Sequence, residues 1–327
     1  MRVVISVRHR GPLWNWPSDA TERLQREFPQ VEFVEISDPA QLEPALAPAE
    51  VYVGWRLSPE QFAAAPRLAW IHSPAAAVHQ LLFPALVASP VRLTSARAAH
   101  GPVVAAHALA LMLALARGLH RARDLQHRAE WSPTTLLQAP GGIRELRGET
   151  ALIAGLGEIG RALVQHLKQQ QMRVLALRRR PELGSEGADE VYAPDQLPAL
   201  LPQSQWLVLA VPVTDSTRAW VGAHELARMR ADAFLINVGR GALVDEPALA
   251  EALRHARIAG AGLDVFEQEP LPPGSPLWSL PSVLITPHTA GATPALWERQ
   301  REIFAENLRR YLAHEPLRYE LDKQRGY

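Results

Sequence analysis

The chain contains no cysteine. Disulfides, thiolate metal sites and cysteine nucleophiles are therefore excluded, and a cytoplasmic enzyme is expected. No metal site is read from the remaining residues. Charge of one sign is also missing: 34 Lys and Arg balance 34 Asp and Glu. Binding along a phosphate backbone rewards a clear basic excess, so nucleic acid is not expected as a partner. Lysine is almost absent, with only Lys168 and Lys323, and arginine carries the positive charge. A membrane-length apolar run is lacking too. The longest, Val103 to Ala116, is about 14 residues and includes His107, whereas a membrane span needs about 20. It reads as a fully buried helix, in a core or at a subunit interface. Met1 to Arg8 is a short strand pattern rather than a signal peptide, since no small-residue cleavage site follows.

What is present suits a soluble α/β protein. At 327 residues and 47% apolar content the chain exceeds one comfortable core, so two domains are expected. The most informative segment is Leu152-Ile153-Ala154-Gly155-Leu156-Gly157-Glu158-Ile159-Gly160. It reads as a buried strand, a G-x-G-x-x-G turn and then a helix, Arg161 to Gln171. Gly155 permits the tight turn, Gly157 lets backbone approach a pyrophosphate, and Gly160 lets helix pack on strand. The helix N-terminus then offers free N–H groups to the anion.

Alternating patterns surround this turn. In the first 100 residues Val3–Val7, Val31–Ile36, Val51–Gly54 and Leu68–Ile71 read as strands, with helices Ala20–Phe28, Pro39–Leu46 and Pro59–Ala64 between them. Gly101-Pro102 starts the apolar helix, which runs to about Arg121, and Trp131 to Gly142 reads as a loop. A second series follows: Ala151–Ala154, Arg173–Leu177, Trp206–Ala210, Phe234–Val238, Gly260–Asp264 and Val283–Thr286. Six strands with intervening helices make a doubly wound Rossmann sheet. A last helix, Pro294 to Tyr311, is expected to return to the first sheet. The expected domains are therefore 1–100 plus 292–327, and 101–291, with a cleft between them.

Polar residues cluster where strands of the second series end, which is where open α/β sheets bind ligands. Arg240 lies between Gly239 and Gly241, and its planar guanidinium suits a carboxylate. Asp264 closes an apolar strand, and Glu269 lies in the loop beyond. His288 follows the last strand. A histidine is the usual proton donor in carbonyl reduction, and a nearby carboxylate orients it. Arg240, Glu269 and His288 are the catalytic candidates. The expected cofactor-binding set is Gly155, Gly157, Glu158, Ile159, Gly160, Arg178, Arg179, Val211, Pro212, Val238, Gly239, Asp264 and Gly291.

These strings resemble the D-isomer-specific 2-hydroxyacid dehydrogenase family along nearly the whole chain. The matching segments are the Gly155–Gly160 turn, Glu145-Leu146-Arg147-Gly148, Asn237-Val238-Gly239-Arg240-Gly241, Asp264-Val265-Phe266 with Glu269-Pro270-Leu271-Pro272, and Pro287-His288-Thr289-Ala290-Gly291. The resemblance implies a Rossmann cofactor domain inserted into a flavodoxin-like substrate domain, both with parallel sheets. It also implies hydride transfer between a nicotinamide and a 2-oxo or 2-hydroxy acid. Arg240 would hold the substrate carboxylate and carbonyl, His288 move the oxygen proton, Glu269 partner His288, and Asp264 contact the nicotinamide carboxamide.

Two segments depart from the family pattern. His72-Ser73-Pro74-Ala75-Ala76-Ala77-Val78 stands in place of a glycine loop, so the N–H groups of Ala76 and Ala77 are the expected carboxylate donors. Ala106-His107 stands where a Glu usually precedes the His. Trp55 and Arg56, after the third strand, are expected to line the substrate site and favour small acids such as glyoxylate or hydroxypyruvate. For the cofactor, NAD-specific folds carry an acidic residue about 20 residues past the turn to bond the ribose 2′-OH. Here Arg178 stands 18 residues after Gly160, followed by Arg179, so NADP(H) is expected, with NAD(H) as the alternative. Glu269 argues against a formate enzyme, which has Gln there, and the lack of Lys near Ala76 against a phosphite enzyme. A nucleotide-sensing corepressor on the same fold is the other class. A homodimer acting on a small 2-oxo acid, away from any membrane, is the expected assembly.

Overall fold

Strands that are apolar at every position, rather than at alternate ones, must be covered on both faces, and parallel sheets meet that demand. The computed structural model describes residues 1–8, 14–75, 78–324 and 326. It contains two such sheets. The first comprises β1 (Arg2–Ser6), β2 (Glu32–Glu35), β3 (Val51–Gly54), β4 (Trp70–Ser73) and β5 (Arg92–Ser95), in the order β2-β1-β3-β4-β5. The second comprises β6 (Thr150–Ala154), β7 (Arg173–Leu177), β8 (Glu190–Tyr192), β9 (Trp206–Leu209), β10 (Phe234–Asn237), β11 (Gly260–Leu263) and β12 (Val283–Ile285). Its order is β12-β11-β10-β9-β6-β7-β8, and every pairing is parallel. The first order is flavodoxin-like and the second is the Rossmann order with one added strand. In the second, β6 has β7 on one side and β9 on the other, so the chain changes direction there.

The backbone divides into two compact units, Met1–His100 with Ala292–Tyr327, and Gly101–Gly291. In the first, the helix Leu296–Leu312 buries Phe304, Ala305 and Leu308 among Val3, Ile5, Val51 and Val53. Phe304 stacks on Trp70 at 5.3 Å between ring centroids, and Tyr311 does so at 5.5 Å. Lys323 donates to the carbonyls of Leu86, Ser89 and Val91, which ties the C-terminal segment down.

In the second unit, Ala105, Ala108, Leu111, Met112, Leu115 and Ala116 pack among Ile153, Val208, Phe234 and Ile236. They belong to the helix Arg97–Ala116, which is long and apolar enough to cross a membrane by composition alone. Here its buried side is part of a protein core.

Several elements differ from the sequence reading. The apolar helix begins at Arg97 rather than Gly101, and Pro102 lies inside it, because one missing N–H donor does not end a ladder. It ends at Ala116, and Gly118, at φ +63°, turns the chain before a new helix, Leu119–His127. Pro133–Leu137 is a short helix within the expected loop, started by a proline whose φ is already helical. Strands β5 and β8 were not expected. Three of the four β5 residues are polar, and β8 is a three-residue edge strand.

Candidate active site

The glycine turn shows three different requirements. Gly155 has φ +106°, and a Cβ there would lie 2.8 Å from the Ala210 carbonyl oxygen. A Cβ on Gly160 would lie 1.8 Å from the Gly155 carbonyl oxygen, so turn and helix close on each other. A Cβ on Gly157 would meet nothing within 4 Å. That open side is the one a ligand can approach. The helix runs Glu158–Gln169, three residues earlier than the sequence reading placed it, and its first backbone bond is Arg161 N–H to Gly157 C=O. The N–H groups of Glu158, Ile159 and Gly160 therefore extend past the helix end. These residues fit a dinucleotide pyrophosphate: free donors, a positive helix end and no side chain in the way.

Arg178 is the first residue after β7. Its backbone N–H bonds Tyr192 C=O, and its Nη1 donates to Gly184 C=O at 2.8 Å. Glu186 stands 4.0 Å away. Arg179, next to it, is exposed.

The Arg240 turn follows β10. Asn237 braces it, accepting from Gly239 N–H at 3.1 Å and donating to Arg240 C=O at 2.9 Å. Sequence reasoning quoted Asn237 but gave it no role. A Cβ on Gly241 would lie 1.8 Å from the Phe266 carbonyl carbon. The Arg240 turn thus rests directly on the loop that carries Glu269. A Cβ on Gly239 would lie 3.0 Å from the Val211 carbonyl oxygen, so Val211 flanks the same turn. Burial pulls the Arg240 guanidinium below its ordinary pKa, and the Glu269 charge opposes that.

Glu269 and His288 form a direct pair, with Nδ1 to Oε2 at 2.6 Å. The other Glu269 oxygen accepts from Phe266 N–H at 3.0 Å. Burial raises the Glu269 pKa, but the bonds from His288 and Phe266 and the charges of His288 and Arg240 outweigh it, leaving a net depression. An ionised carboxylate only accepts, so Nδ1 carries a proton. Nε2, which bonds none of the described residues, is then a base in the neutral ring and an acid in the imidazolium. His288 sits at φ +53°, and its N–H bonds Asp264 C=O at 2.8 Å. Glu246, a further carboxylate the sequence reading passed over, accepts from Glu267 N–H. Its pKa is raised by burial and by the charges of Glu267 and Glu269, against that hydrogen bond.

Asp264 is buried and engaged by the segment that presents His288. Its Oδ1 accepts from Thr286 Oγ1 at 2.6 Å and Thr289 N–H at 2.9 Å, and its Oδ2 from Ala290 N–H at 3.0 Å. Gly291 ends this segment and this unit. Val238 lies beneath the Arg240 turn in the same core as Ala290.

In the other unit, Trp55 packs edge-on against Trp297, with centroids 6.2 Å apart, and its buried Nε1 has no hydrogen-bond partner among the described residues. Arg56 is exposed, and its carbonyl accepts from Tyr52 OH at 2.6 Å. Ala76 and Ala77 lie outside the described residues.

The sequence profile of the D-isomer specific 2-hydroxyacid dehydrogenase NAD binding domain matches residues 109–290. Glyoxylate reductase of Korarchaeum cryptofilum is 40% identical over 211 residues, 62% of this chain and 60% of that protein. The chain spans about 60% of the length of the first curated relatives it matches. Glyoxylate/hydroxypyruvate reductase B of Pectobacterium carotovorum is 35% identical, over 84% of this chain and 85% of its own. Among solved structures, an NADPH-dependent glyoxylate/hydroxypyruvate reductase of Sinorhizobium meliloti, in complex with NADP and sulfate, superposes with TM-score 0.82 at 26% identity. It covers 100% of this chain and 99% of that one.

Proposed function

The chain belongs to the D-isomer specific 2-hydroxyacid dehydrogenase family, and from that premise we propose that it reduces a small 2-oxo acid to the D-2-hydroxy acid. The observation that carries this reading is the His288–Glu269 pair, which leaves Nε2 free and lies within the electrostatic reach of Arg240. Arg240 binds the substrate carboxylate and the carbonyl oxygen. His288 delivers its Nε2 proton to that oxygen, and Glu269 keeps the ring oriented throughout. A bound nicotinamide supplies the hydride to the substrate carbon. The assembled acid–base pair favours catalysis over nucleotide sensing. Oxidation of NADPH over a panel of 2-oxo acids tests the proposal. Glyoxylate and hydroxypyruvate are expected to outpace phenylpyruvate, with Trp55 and the Ala76–Ala77 segment shaping the choice. No turnover with any 2-oxo acid refutes the reading.

NADP(H) is the preferred cofactor on this reading. The four residues after β7, Arg178 to Pro181, include no acid, and Arg178 stands about where NAD-specific folds carry one. Its bond to Gly184 uses one of five guanidinium donors, leaving others for a 2′-phosphate. Arg178→Asp is expected to shift kcat/KM toward NADH, by removing the phosphate partner and adding a ribose acceptor. A wild type with higher kcat/KM for NADH contradicts the assignment.

The protein is further proposed to be a cytoplasmic homodimer. Pro102, Ala106, Ala110 and Leu113 form an exposed apolar stripe along the helix Arg97–Ala116, and C₂ packing is the commonest way to cover one. Light scattering should give twice 36.1 kDa, and Leu113→Arg should lower it. A monomer at micromolar concentration refutes the dimer.

A further inference from the structure

His107 is a polar residue on a helix whose neighbouring buried side chains, Val104, Ala108 and Leu111, are apolar. Its Nε2 lies 3.0 Å from Thr286 Oγ1 and 3.6 Å from Asp264 Oδ1. The proton positions follow from counting. Thr286 has one hydroxyl proton, and Asp264, when ionised, can only accept. The 2.6 Å bond between them therefore uses the threonine proton. Thr286 Oγ1 can then only accept from His107, so His107 carries its proton on Nε2. The result is a directional chain: His107 Nε2–H to Thr286, and Thr286 O–H to Asp264 Oδ1. Oδ1 also takes the Thr289 N–H, and so is saturated. Among the described residues Oδ2 takes only the Ala290 N–H and keeps a lone pair to spare.

We propose that His107 is a positioning residue: acting through Thr286, it fixes the Asp264 carboxylate so that Oδ2 is the oxygen available to an amide donor. It also steadies the turn that carries His288. The proposal rests on the dehydrogenase reading above, in which that amide is the carboxamide of the nicotinamide. A buried carboxylate is costly unless its lone pairs are satisfied. Removing His107 frees Thr286 Oγ1 to rotate, and Asp264 loses its strongest constraint. The backbone of His288 is coupled to the same event, since its N–H bonds Asp264 C=O at 2.8 Å. Among the described residues neither His107, Thr286 nor Asp264 hydrogen-bonds to the Arg240 or Glu269 side chain, so their roles are left intact.

Three measurements on the whole chain test this, none of them with a 2-oxo acid and two of them without cofactor. In the cofactor-free protein, the Thr289 and Ala290 amides should exchange with solvent about tenfold faster in His107→Ala, and His107→Gln, which keeps an N–H donor, should restore protection. Nitrogen NMR should show His107 Nε2 protonated in the wild type. Cofactor dissociation constants, read by fluorescence, should then be compared for NADPH and its 3-acetylpyridine analogue, which has no amide N–H. His107→Ala should weaken NADPH by about tenfold, the size of one hydrogen bond to a charged group, and leave the analogue nearly unchanged. Equal weakening of both cofactors, or unaltered amide exchange, overturns the proposal. If His107→Ala does not fold, the Gln variant decides alone: weakening of NADPH despite the retained donor overturns it. Failure of the wild type to reduce any 2-oxo acid would refute the dehydrogenase reading while leaving the exchange and binding comparisons to judge His107.

Discussion

Replacing His288 by alanine is expected to lower kcat/KM for 2-oxo acid reduction by a factor of about 10² to 10⁴, the usual worth of a positioned acid. The loss should be confined to chemistry. His288 is half-exposed, and its backbone N–H, which bonds Asp264, survives the substitution. Cofactor affinity should therefore hold. Alanine at φ +53° carries some backbone strain, so His288→Asn is the better control, since asparagine tolerates the left-handed region. A comparable loss in both variants assigns the defect to the proton. Glu269→Gln should act on the same step more gently. The depressed pKa keeps Glu269 ionised across the neutral range. Glutamine carries no charge at any pH, so the rate should be lower throughout and should lack the acid-side fall that protonating Glu269, held below the ordinary carboxylate range, causes in the wild type. A kcat/KM for His288→Ala within threefold of wild type would remove it from the mechanism, and an unchanged acid-side limb in Glu269→Gln would give the carboxylate another role.

The second large effect is expected at Arg240. Truncation to alanine should reduce kcat/KM by roughly 30- to 5,000-fold, corresponding to about 2–5 kcal/mol for removing one partner of a buried charge pair. Lysine should recover little. A guanidinium offers two parallel donors to a carboxylate, whereas an ammonium offers a point charge and is discharged more easily by burial. Burial already depresses the Arg240 pKa, which a guanidinium tolerates because its ordinary value is so high. The fold should survive both substitutions, since Asn237 braces the Arg240 carbonyl rather than its side chain. KM for the 2-oxo acid should rise while the cofactor dissociation constant stays put. An Arg240→Lys enzyme with wild-type KM would show that the carboxylate is bound elsewhere.

The strands of the second sheet were legible because they are buried on both faces. Arg173–Leu177 matches residue for residue, and the strands at Trp206, Phe234 and Gly260 each end one residue earlier than read. Each of those three readings ran on into the first residue past the ladder. β8 was not legible, because three residues on an edge leave no periodicity to read. The helix boundary at Ala116 depends on the φ of Gly118, which apolar composition does not encode. At the site, Arg240, Glu269 and His288 could be named because each follows a strand end. The partners of His107 could not: Thr286 is 179 residues away in sequence, and only the fold brings them within 3.0 Å. Likewise Arg178 was read only as a partner for a 2′-phosphate, and its bond to Gly184 depends on how the following loop turns back.

The division of the chain into units also sets a timetable for its synthesis. The Gly101–Gly291 unit is one continuous stretch and can close its sheet as it emerges. The other unit cannot, because the helix that covers Trp70 with Phe304 and Tyr311 is made only after the whole Gly101–Gly291 unit. About 225 residues separate Trp70 from that helix, so at about 5–20 residues per second the tryptophan waits roughly 10–45 s for its cover. Throughout that interval a nearly complete sheet presents an uncovered aromatic face on the ribosome. This is the period in which a holding chaperone would find it, and in which a stalled or truncated product would aggregate.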